Sequence, residues 1–377
     1  MKKIVYKKKR VKLILLKREN KEMNYIGSKF SLLDFLEEAV SKCNIKKKDP
    51  VFCDIFSGTG VVANKFKENG FKVIANDIED FSYALINHYI KNNKEIQIKE
   101  YIQELNKLSG VKTGFIYNNY CPSGAKSQVV KNVKDGTEHL NRKYFTDQNG
   151  MIIDEARDLI DYWFKSNEIT KEQYNYLLAV ILEAADKVAN TTSVYGAFLK
   201  DIKASAKRKI KFKELDYIVT DSDHEVYKED VNELITKIEG DVLYLDPPYN
   251  NRQYGANYHV LNTIAKKDNP EIKGVTGMRD YVSSNWCKKG KVAEEFEELV
   301  KNAKFEYILL SYNNEGLMSL EQIKKIMEKY GEYSVIQRGY QRYKSDMESD
   351  DRKYKAKAVV EYIHILKKED KNIIKKV

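Results

Sequence analysis

The sequence contains few of the residues that metal centres and disulfide frameworks require. Only four cysteines and five histidines occur among 377 residues, and they form neither a C-x-x-C pair nor a spacing typical of metal ligands. These absences exclude the common zinc-site patterns and a disulfide framework. The four thiols are therefore expected to be reduced, as in a cytoplasmic protein, and no metal ion is expected.

Long apolar runs are also missing. No stretch approaches the roughly 20 apolar residues that a membrane-spanning helix needs. The apolar run at residues 13–16 is too short for the central part of a secretory signal. The protein is therefore expected to be cytoplasmic and to have no membrane partner.

Positive charge is in excess. The chain carries 66 Lys and Arg against 56 Asp and Glu, which gives a net charge of +10. Such a balance favours a polyanionic partner such as nucleic acid. Hydrophobic residues make up 42% of the chain, which indicates a folded protein, and the length suggests two domains or one domain with a large insertion.

The first chemical motif is a glycine turn between a strand and a helix. An apolar strand pattern at residues 51–56 runs into Ser57-Gly58-Thr59-Gly60, and a helical pattern follows at residues 61–69. A second strand pattern ends at Asn76-Asp77, 19 residues after Gly58. A carboxylate about 20 residues after such a turn is typical of one that binds ribose hydroxyls. The segment therefore predicts a βαβ unit with an adenosine-type cofactor.

The nature of this cofactor has more than one interpretation. The residues from Gly58 to Ala63 also fit the G-x-G-x-x-A pattern of NAD and FAD sites. An acid at Asp54 is less expected beside a pyrophosphate, whereas it suits the cationic amino group of S-adenosylmethionine. S-adenosylmethionine is favoured, and a dinucleotide site or a glycine turn without a ligand remain the alternatives.

A second motif combines an acid, two prolines and an aromatic ring. The apolar run at residues 242–245 ends abruptly at Asp246-Pro247-Pro248-Tyr249. Proline cannot continue the ladder of a sheet, so the chain must leave the strand in a stiff conformation. Asp246 and the carbonyl of Pro247 could accept the two N–H groups of an aromatic amine, and Tyr249 could stack on a base. The alternative is a rigid turn without a chemical role.

A large insertion separates the two motifs. Asp77 and Asp246 are separated by 168 residues, far more than a βαβ connection needs. We predict a basic N-terminal tail at residues 1–22, a main domain at residues 23–105 and 236–377, and an inserted, mainly helical and loop-rich region at residues 106–235. Within the insertion a basic patch is predicted to contact DNA phosphates, and its residues are Lys200, Lys203, Lys207, Arg208 and Lys209. A solvated helix face is the alternative for this patch.

The order of four motifs resembles that of the Dam-like, alpha-group adenine-N6 DNA methyltransferases. The motifs are residues 24–29 (Asn-Tyr-Ile-Gly-Ser-Lys), residues 54–60, Asn76-Asp77 and residues 246–249. The resemblance implies an α/β fold, with a Rossmann-like methyltransferase sheet and helices on both faces. It also implies that residues 23–105 and 236–377 form the catalytic domain and that the insertion at residues 106–235 is the target-recognition region. The first motif departs from the family's Trp-Ala-Gly-Gly-Lys form, since it has tyrosine and serine instead.

The resemblance also implies roles for individual residues. Tyr25 and Lys29 would contact S-adenosylmethionine. Phe56, Gly58 and Gly60 would form the turn that binds it, and Asp77 would bind its ribose. Asp246 would contact both the cofactor and the target amine. The four residues Asp246, Pro247, Pro248 and Tyr249 would be the catalytic set.

The expected function is site-specific methylation of the N6 amino group of a flipped adenine in double-stranded DNA, in a restriction-modification system with a cognate endonuclease. Methylation of cytosine N4 or of RNA adenine is a rival within the same chemistry. A DNA-binding module without activity would predict a damaged cofactor site, yet Gly58, Gly60, Asp77 and Asp246 are all present. A dinucleotide oxidoreductase is the third rival and is distinguished by cofactor titration.

Overall fold

Strands and helices alternate along most of the chain. The computed structural model describes residues 12–14, 23, 25–133, 136–340 and 359–369. The strands are β1 Lys12–Ile14, β2 Val51–Asp54, β3 Lys72–Asn76, β4 Gln128–Val133, β5 Gly136–Asn141, β6 Tyr217–Val219, β7 Glu225–Tyr227, β8 Glu239–Leu245, β9 Ile272–Lys273, β10 Met278–Arg279, β11 Lys304–Asn313, β12 Gly331–Tyr340 and β13 Val359–Lys368. The α-helices are α1 Leu33–Lys42, α2 Val61–Glu68, α3 Asp80–Ile86, α4 Lys99–Lys107, α5 Phe115–Tyr120, α6 Asp147–Lys165, α7 Lys171–Lys187, α8 Val231–Leu234, α9 Tyr254–Asn257, α10 His259–Lys266, α11 Val292–Asn302 and α12 Leu320–Met327.

A seven-stranded sheet forms the centre of the fold, with its strands in the order β12-β13-β11-β8-β2-β3-β7. β2 pairs in parallel with β3 and β8, and parallel pairing continues to β7 on one side and to β11 on the other. Within this sheet β13 is antiparallel to both of its neighbours, β11 and β12. The predicted α/β fold with a Rossmann-like sheet is confirmed. Such sheets bind ligands at the carboxyl edge, where the strand order reverses, which is here between β2 and β8.

Alternation of side chains along the strands gives the sheet two apolar faces. Phe52 and Val242 pack on one face in a cluster with residues of α1 and α2. Their neighbours Cys53 and Leu243 pack on the other face, with residues of α8, α11 and α12. Successive residues of a strand point to opposite sides, so a strand covered on both faces is apolar throughout. This explains the apolar runs at residues 51–53 of β2 and 242–245 of β8.

Between β3 and β7 the chain leaves the sheet and builds a third apolar cluster. Helices α6 and α7 supply much of this cluster, which also includes residues of α3 and α10. The hydroxyl of Thr146 caps α6, and Thr170 caps α7 in a reciprocal arrangement with Gln173. The antiparallel pair β4–β5 also lies in this part of the chain. Its assignment as a target-recognition region stays a prediction.

Two boundaries differ from the sequence-based ones. β7 lies within the range predicted for the insertion, residues 106–235. It nevertheless pairs with β3 in the central sheet, so the chain has returned to the sheet by Glu225. A three-residue strand is too short to show a periodic pattern. β1, within the predicted tail, pairs with β6, so residues 12–14 are part of the fold. The rest of the tail, residues 1–11 and 15–22, lies outside the described residues.

Two further properties concern the described residues alone. None of their helices is both long enough and apolar enough to span a membrane. Within the same ranges, no group of three or more His, Cys, Asp or Glu side chains is arranged to bind a metal ion.

Candidate active site

A cleft opens at the carboxyl edge of the sheet, where β2 and β8 end side by side. The empty space in the cleft and at its mouth, with open solvent included, is about 1260 Å³. Eight of the predicted site residues line it: Tyr25, Lys29, Asp54, Phe56, Gly58, Asp77, Asp246 and Pro248. Gly60 lies two residues after Gly58, and Pro247 and Tyr249 flank Pro248, but none of these three residues lines the cleft.

The glycine turn after β2 is tied to the end of β3. Gly58 and Gly60 have φ angles of +52° and +81°, a region that glycine adopts without strain. The backbone N–H of Gly58 donates to Oδ2 of Asp77 over 2.8 Å, and the N–H of Glu79 donates to Oδ1 over 2.9 Å. Burial raises the pKa of Asp77 to about 7, although these hydrogen bonds favour the carboxylate. The predicted spacing of 19 residues thus brings the turn and the acid into direct contact.

Tyr25 lies against this turn. A Cβ atom at Gly58 would lie only 2.8 Å from Cε1 of the Tyr25 ring, so only glycine permits this approach. The ring stacks on Tyr258, with centroids 5.1 Å apart and an angle of 22° between the planes. Tyr254 approaches it as well, at 5.7 Å. The first motif therefore reaches the glycine turn through an aromatic cluster that sequence patterns did not indicate.

Asp54 is the last residue of β2, and its side chain is buried. Oδ2 accepts the backbone N–H of Ala63 over 3.2 Å, whereas Oδ1 has no hydrogen-bond partner among the described residues. Burial raises the pKa of this carboxyl well above its ordinary value, and the negative charge of Asp246 raises it further. A cationic group bound in the cleft would offset both effects.

The second motif forms a charged cluster with the first. The ammonium group of Lys29 lies 3.1 Å from Oδ1 of Asp246, and the two residues are 4% and 16% exposed. The hydroxyl of Tyr249 contacts both groups. Burial raises the pKa of Asp246, and the positive charge of Lys29 partly offsets this rise. Lys29 lies more than 200 positions before Asp246 and Tyr249 in the chain, so no local pattern predicts its contact with them.

The ring of Tyr249 is held from two sides. It packs edge-on against Tyr312, with centroids 5.4 Å apart and an interplanar angle of 78°. The ammonium of Lys29 lies 4.5 Å from the centroid of the Tyr249 ring, a cation–π distance. Pro247 is buried and Pro248 is half-buried immediately after β8. The strand end, the prolines and the two rings together fix where Asp246 lies.

Sequence reasoning missed several residues of the site. Glu229, Asp230 and Val231 follow β7 and line the cleft. Trp286, between β10 and α11, also lines the cleft. Its ring packs edge-on against that of Phe56, with centroids 5.0 Å apart. The acids after β7 repeat the strand-then-acid pattern of Asp77 and could have been found by it, whereas nothing local indicates Trp286.

The predicted basic patch lies away from the cleft, since none of its five residues lines it. Lys200, Lys207, Arg208 and Lys209 are exposed. The ammonium of Lys203 instead donates to the backbone carbonyl of Thr191 over 2.5 Å. The patch lies in turns and irregular segments, so the helix of the alternative interpretation is absent, whereas the solvation that it expects is present for these four side chains. Its contact with DNA stays a prediction.

The chain is similar in sequence to several known methyltransferases. The chain is 47% identical over 348 residues to Type II methyltransferase M.NlaIII of Neisseria lactamica, covering 92% of this chain and 99% of that protein. It is 38% identical to Type II methyltransferase M.FokI of Planomicrobium okeanokoites over 92% of this chain and 53% of that protein. It is 35% identical to Type II methyltransferase M.CviAII of Paramecium bursaria Chlorella virus 1, over 86% of this chain and 94% of that protein.

The family assignment rests on a match that includes the glycine turn, Asp77 and the Asp246–Tyr249 cluster. Residues 25–329 match the model of the D12 class N6 adenine-specific DNA methyltransferases. The match spans most of the 377 residues of the chain. The chain therefore belongs to the D12 class of N6 adenine-specific DNA methyltransferases.

Proposed function

We propose that the chain transfers the methyl group of S-adenosylmethionine to N6 of an adenine flipped out of double-stranded DNA. The observation that carries this proposal is the pair of Lys29 and Asp246, which line one cleft with Gly58 and Asp77. The hydroxyl of Tyr249 contacts both members of the pair. An adenine inside a duplex cannot reach a cleft at a sheet edge, so the base must leave the helix.

The cleft suits a cofactor that combines a nucleoside with a cationic amino acid. Asp77, next to the turn, is placed for the ribose hydroxyls, and the unpartnered oxygen of Asp54 suits the amino group. Tyr25 supplies an aromatic surface beside Gly58. When bound, S-adenosylmethionine supplies a methyl group that is already activated by its sulfonium, so the protein needs no covalent nucleophile.

The residues of the chain hold the amine and accept its hydrogen bonds. Both contacts that Lys29 and Tyr249 make with Asp246 use Oδ1, so Oδ2 can accept an N–H of adenine N6. The carbonyl of Pro247 is the proposed acceptor for the second N–H. Two fixed acceptors would favour a tetrahedral nitrogen with its lone pair free for alkylation. Transfer of the methyl group would leave the cofactor as its thioether, S-adenosylhomocysteine, and the proton released from the alkylated nitrogen would pass to water.

We also propose the biological context. The relatives are named Type II methyltransferases, which suggests that this chain protects cytoplasmic DNA from a cognate restriction endonuclease. Its expression in a bacterial host should mark adenines in one short sequence, detected by sequencing that reads N6-methyladenine. Methylation of cytosine N4 only, or of structured RNA in preference to duplex DNA, would contradict the proposal.

Replacing Gly58 with alanine should weaken cofactor binding by at least about tenfold. The new Cβ would meet the Tyr25 ring at 2.8 Å, and the φ of +52° is unfavourable for alanine. Isothermal titration with S-adenosylmethionine measures the effect. Gly70→Ala is the matched control, because Gly70 has a φ of +90° but open space around its Cβ position. Equal binding by the two variants would contradict this role of the turn.

Cofactor affinity should depend on pH near neutrality. The pKa of Asp77 is about 7, so its carboxylate protonates as the pH falls below that value and loses an acceptor for the ribose. Glu79 and Lys228 are the charged neighbours that act on it. We expect binding to be up to about tenfold weaker at pH 6 than at pH 8. The Asp77→Asn variant should bind S-adenosylmethionine weakly, and its affinity should depend much less on pH. If the affinity of this variant changed with pH as steeply as that of the wild type, the pH dependence would belong to another group.

A further inference from the structure

Helix α10 lies outside the cleft but contacts both segments that form its ribose side. It follows the catalytic motif by ten residues and packs among α3, α7 and the insertion in the third apolar cluster. Two of its neighbouring side chains reach the cofactor segments, namely Tyr258 at its N-terminal boundary and Asn262 one turn later. Both are buried, at 0% and 4% exposure.

Tyr258 holds the first motif. Its hydroxyl accepts the backbone N–H of Ile26 over 2.8 Å, and its ring stacks on Tyr25. Since the Tyr25 ring lies directly against Gly58, the position of Tyr258 sets how closely the first motif approaches the glycine turn. The hydroxyl bond joins residues 232 positions apart, so it exists only in the folded chain.

Asn262 holds the segment after Asp77. Its Oδ1 accepts the backbone N–H of Phe81 over 3.1 Å, and its Nδ2 donates to the carboxylate of Glu79. Glu79 in turn donates its backbone N–H to Asp77, the proposed ribose acceptor. One amide therefore fixes the start of α3 and, through Glu79, the orientation of Asp77.

The insertion fixes α10 in place. The guanidinium of Arg157, on α6, donates to the carbonyls of Ile264 over 2.8 Å and of Ala265 over 3.4 Å at the end of α10. A guanidinium satisfies helix carbonyls that have no partner within the helix. The helix is therefore anchored at its far end while its other end reaches the cofactor segments.

We propose that Tyr258 and Asn262 are positioning residues for the cofactor, acting through Ile26 and Tyr25 on one side and through Glu79 and Asp77 on the other. The inference rests on the proposed function, because it assigns S-adenosylmethionine to this cleft. Neither residue lines the cleft, so both act on affinity through the segments that they hold.

The test uses the full chain and three variants. Tyr258→Phe removes only the hydroxyl, Asn262→Leu removes both amide contacts, and Thr263→Val is the matched control on the same helix. The Thr263 side chain is buried, and its hydroxyl donates within the helix to the carbonyl of His259. Titration calorimetry gives the dissociation constant for S-adenosylmethionine, single-turnover methylation gives the rate at saturating cofactor, and urea unfolding reports the folded state.

We expect the dissociation constant to rise about tenfold in Tyr258→Phe and more in Asn262→Leu, with the rate at saturating cofactor within about threefold of wild type. Thr263→Val should bind like the wild type. Wild-type affinity in Tyr258→Phe and Asn262→Leu, or an equal loss of saturated rate, would overturn the inference while leaving the proposed function intact. A wild-type chain that does not bind S-adenosylmethionine would overturn the proposed function itself.

Discussion

Replacing Asp246 with asparagine should lower the methylation rate at saturating cofactor by about 10²- to 10³-fold. The carboxylate is fixed by Lys29 and by the hydroxyl of Tyr249, so it is a preorganised acceptor for the charge that develops on the amine. Removing one preorganised polar partner from such a site commonly has an effect of this size. Single-turnover methylation of duplex DNA measures the rate constant.

Asp241 provides a matched control for Asp246. It is a buried carboxylate near the amino end of β8, the strand that ends just before Asp246, and it accepts the backbone N–H of Val51 over 2.8 Å and pairs with Lys47 at 2.6 Å. Asp241→Asn should lower stability towards urea but leave the rate within about threefold of wild type. Similar rates for the two variants would show that the Asp246 carboxylate affects transfer no more than a carboxylate that only supports the fold.

Replacing Tyr249 with alanine should lower transfer by about 10- to 100-fold and affect cofactor binding much less. Stacking of one base on an aromatic ring contributes on the order of 1–3 kcal/mol, and alanine would also remove the ring that lies between Lys29 and Tyr312. Methylation kinetics and cofactor titration measure the two effects separately.

Tyr249→Phe separates the ring from its hydroxyl. Phenylalanine keeps the aromatic face but loses the contacts with Asp246 and Lys29. If stacking dominates, the phenylalanine variant should retain most of the activity that alanine loses. Equal losses of transfer and cofactor binding in Tyr249→Ala would argue against a base-stacking role.

The structure changes the interpretation of the catalytic motif. The sequence presents Asp246 to Tyr249 as a stiff strand end with two acceptors and a free ring. In the folded chain the ring packs on Tyr312, and its hydroxyl joins a charged pair with a residue from the first motif. The motif is therefore one half of a cluster whose other half, Lys29, lies 220 positions earlier in the chain.

The sequence by itself determined the features that depend on local geometry. Apolar runs, glycine turns and acids at strand ends follow from short-range sterics and from the periodicity of strands, and they predicted the sheet, the turn at Gly58 and an acid at the end of the next strand. The hydrogen bond between Gly58 and Asp77 was not predicted and appears only in the structure. The insertion was visible because its length exceeds what a crossover needs.

Only the tertiary structure decided which distant residues meet. Three contacts of the site join segments that are far apart in the chain. They are the ion pair of Lys29 with Asp246, the stacking of Tyr25 on Tyr258 and the hydrogen bond of Asn262 with Glu79. The short strands β1 and β7 likewise carry too few residues to show a period, and their pairing partners define them. The physical reason is that such contacts depend on how whole elements pack, which no pattern of neighbouring residues records.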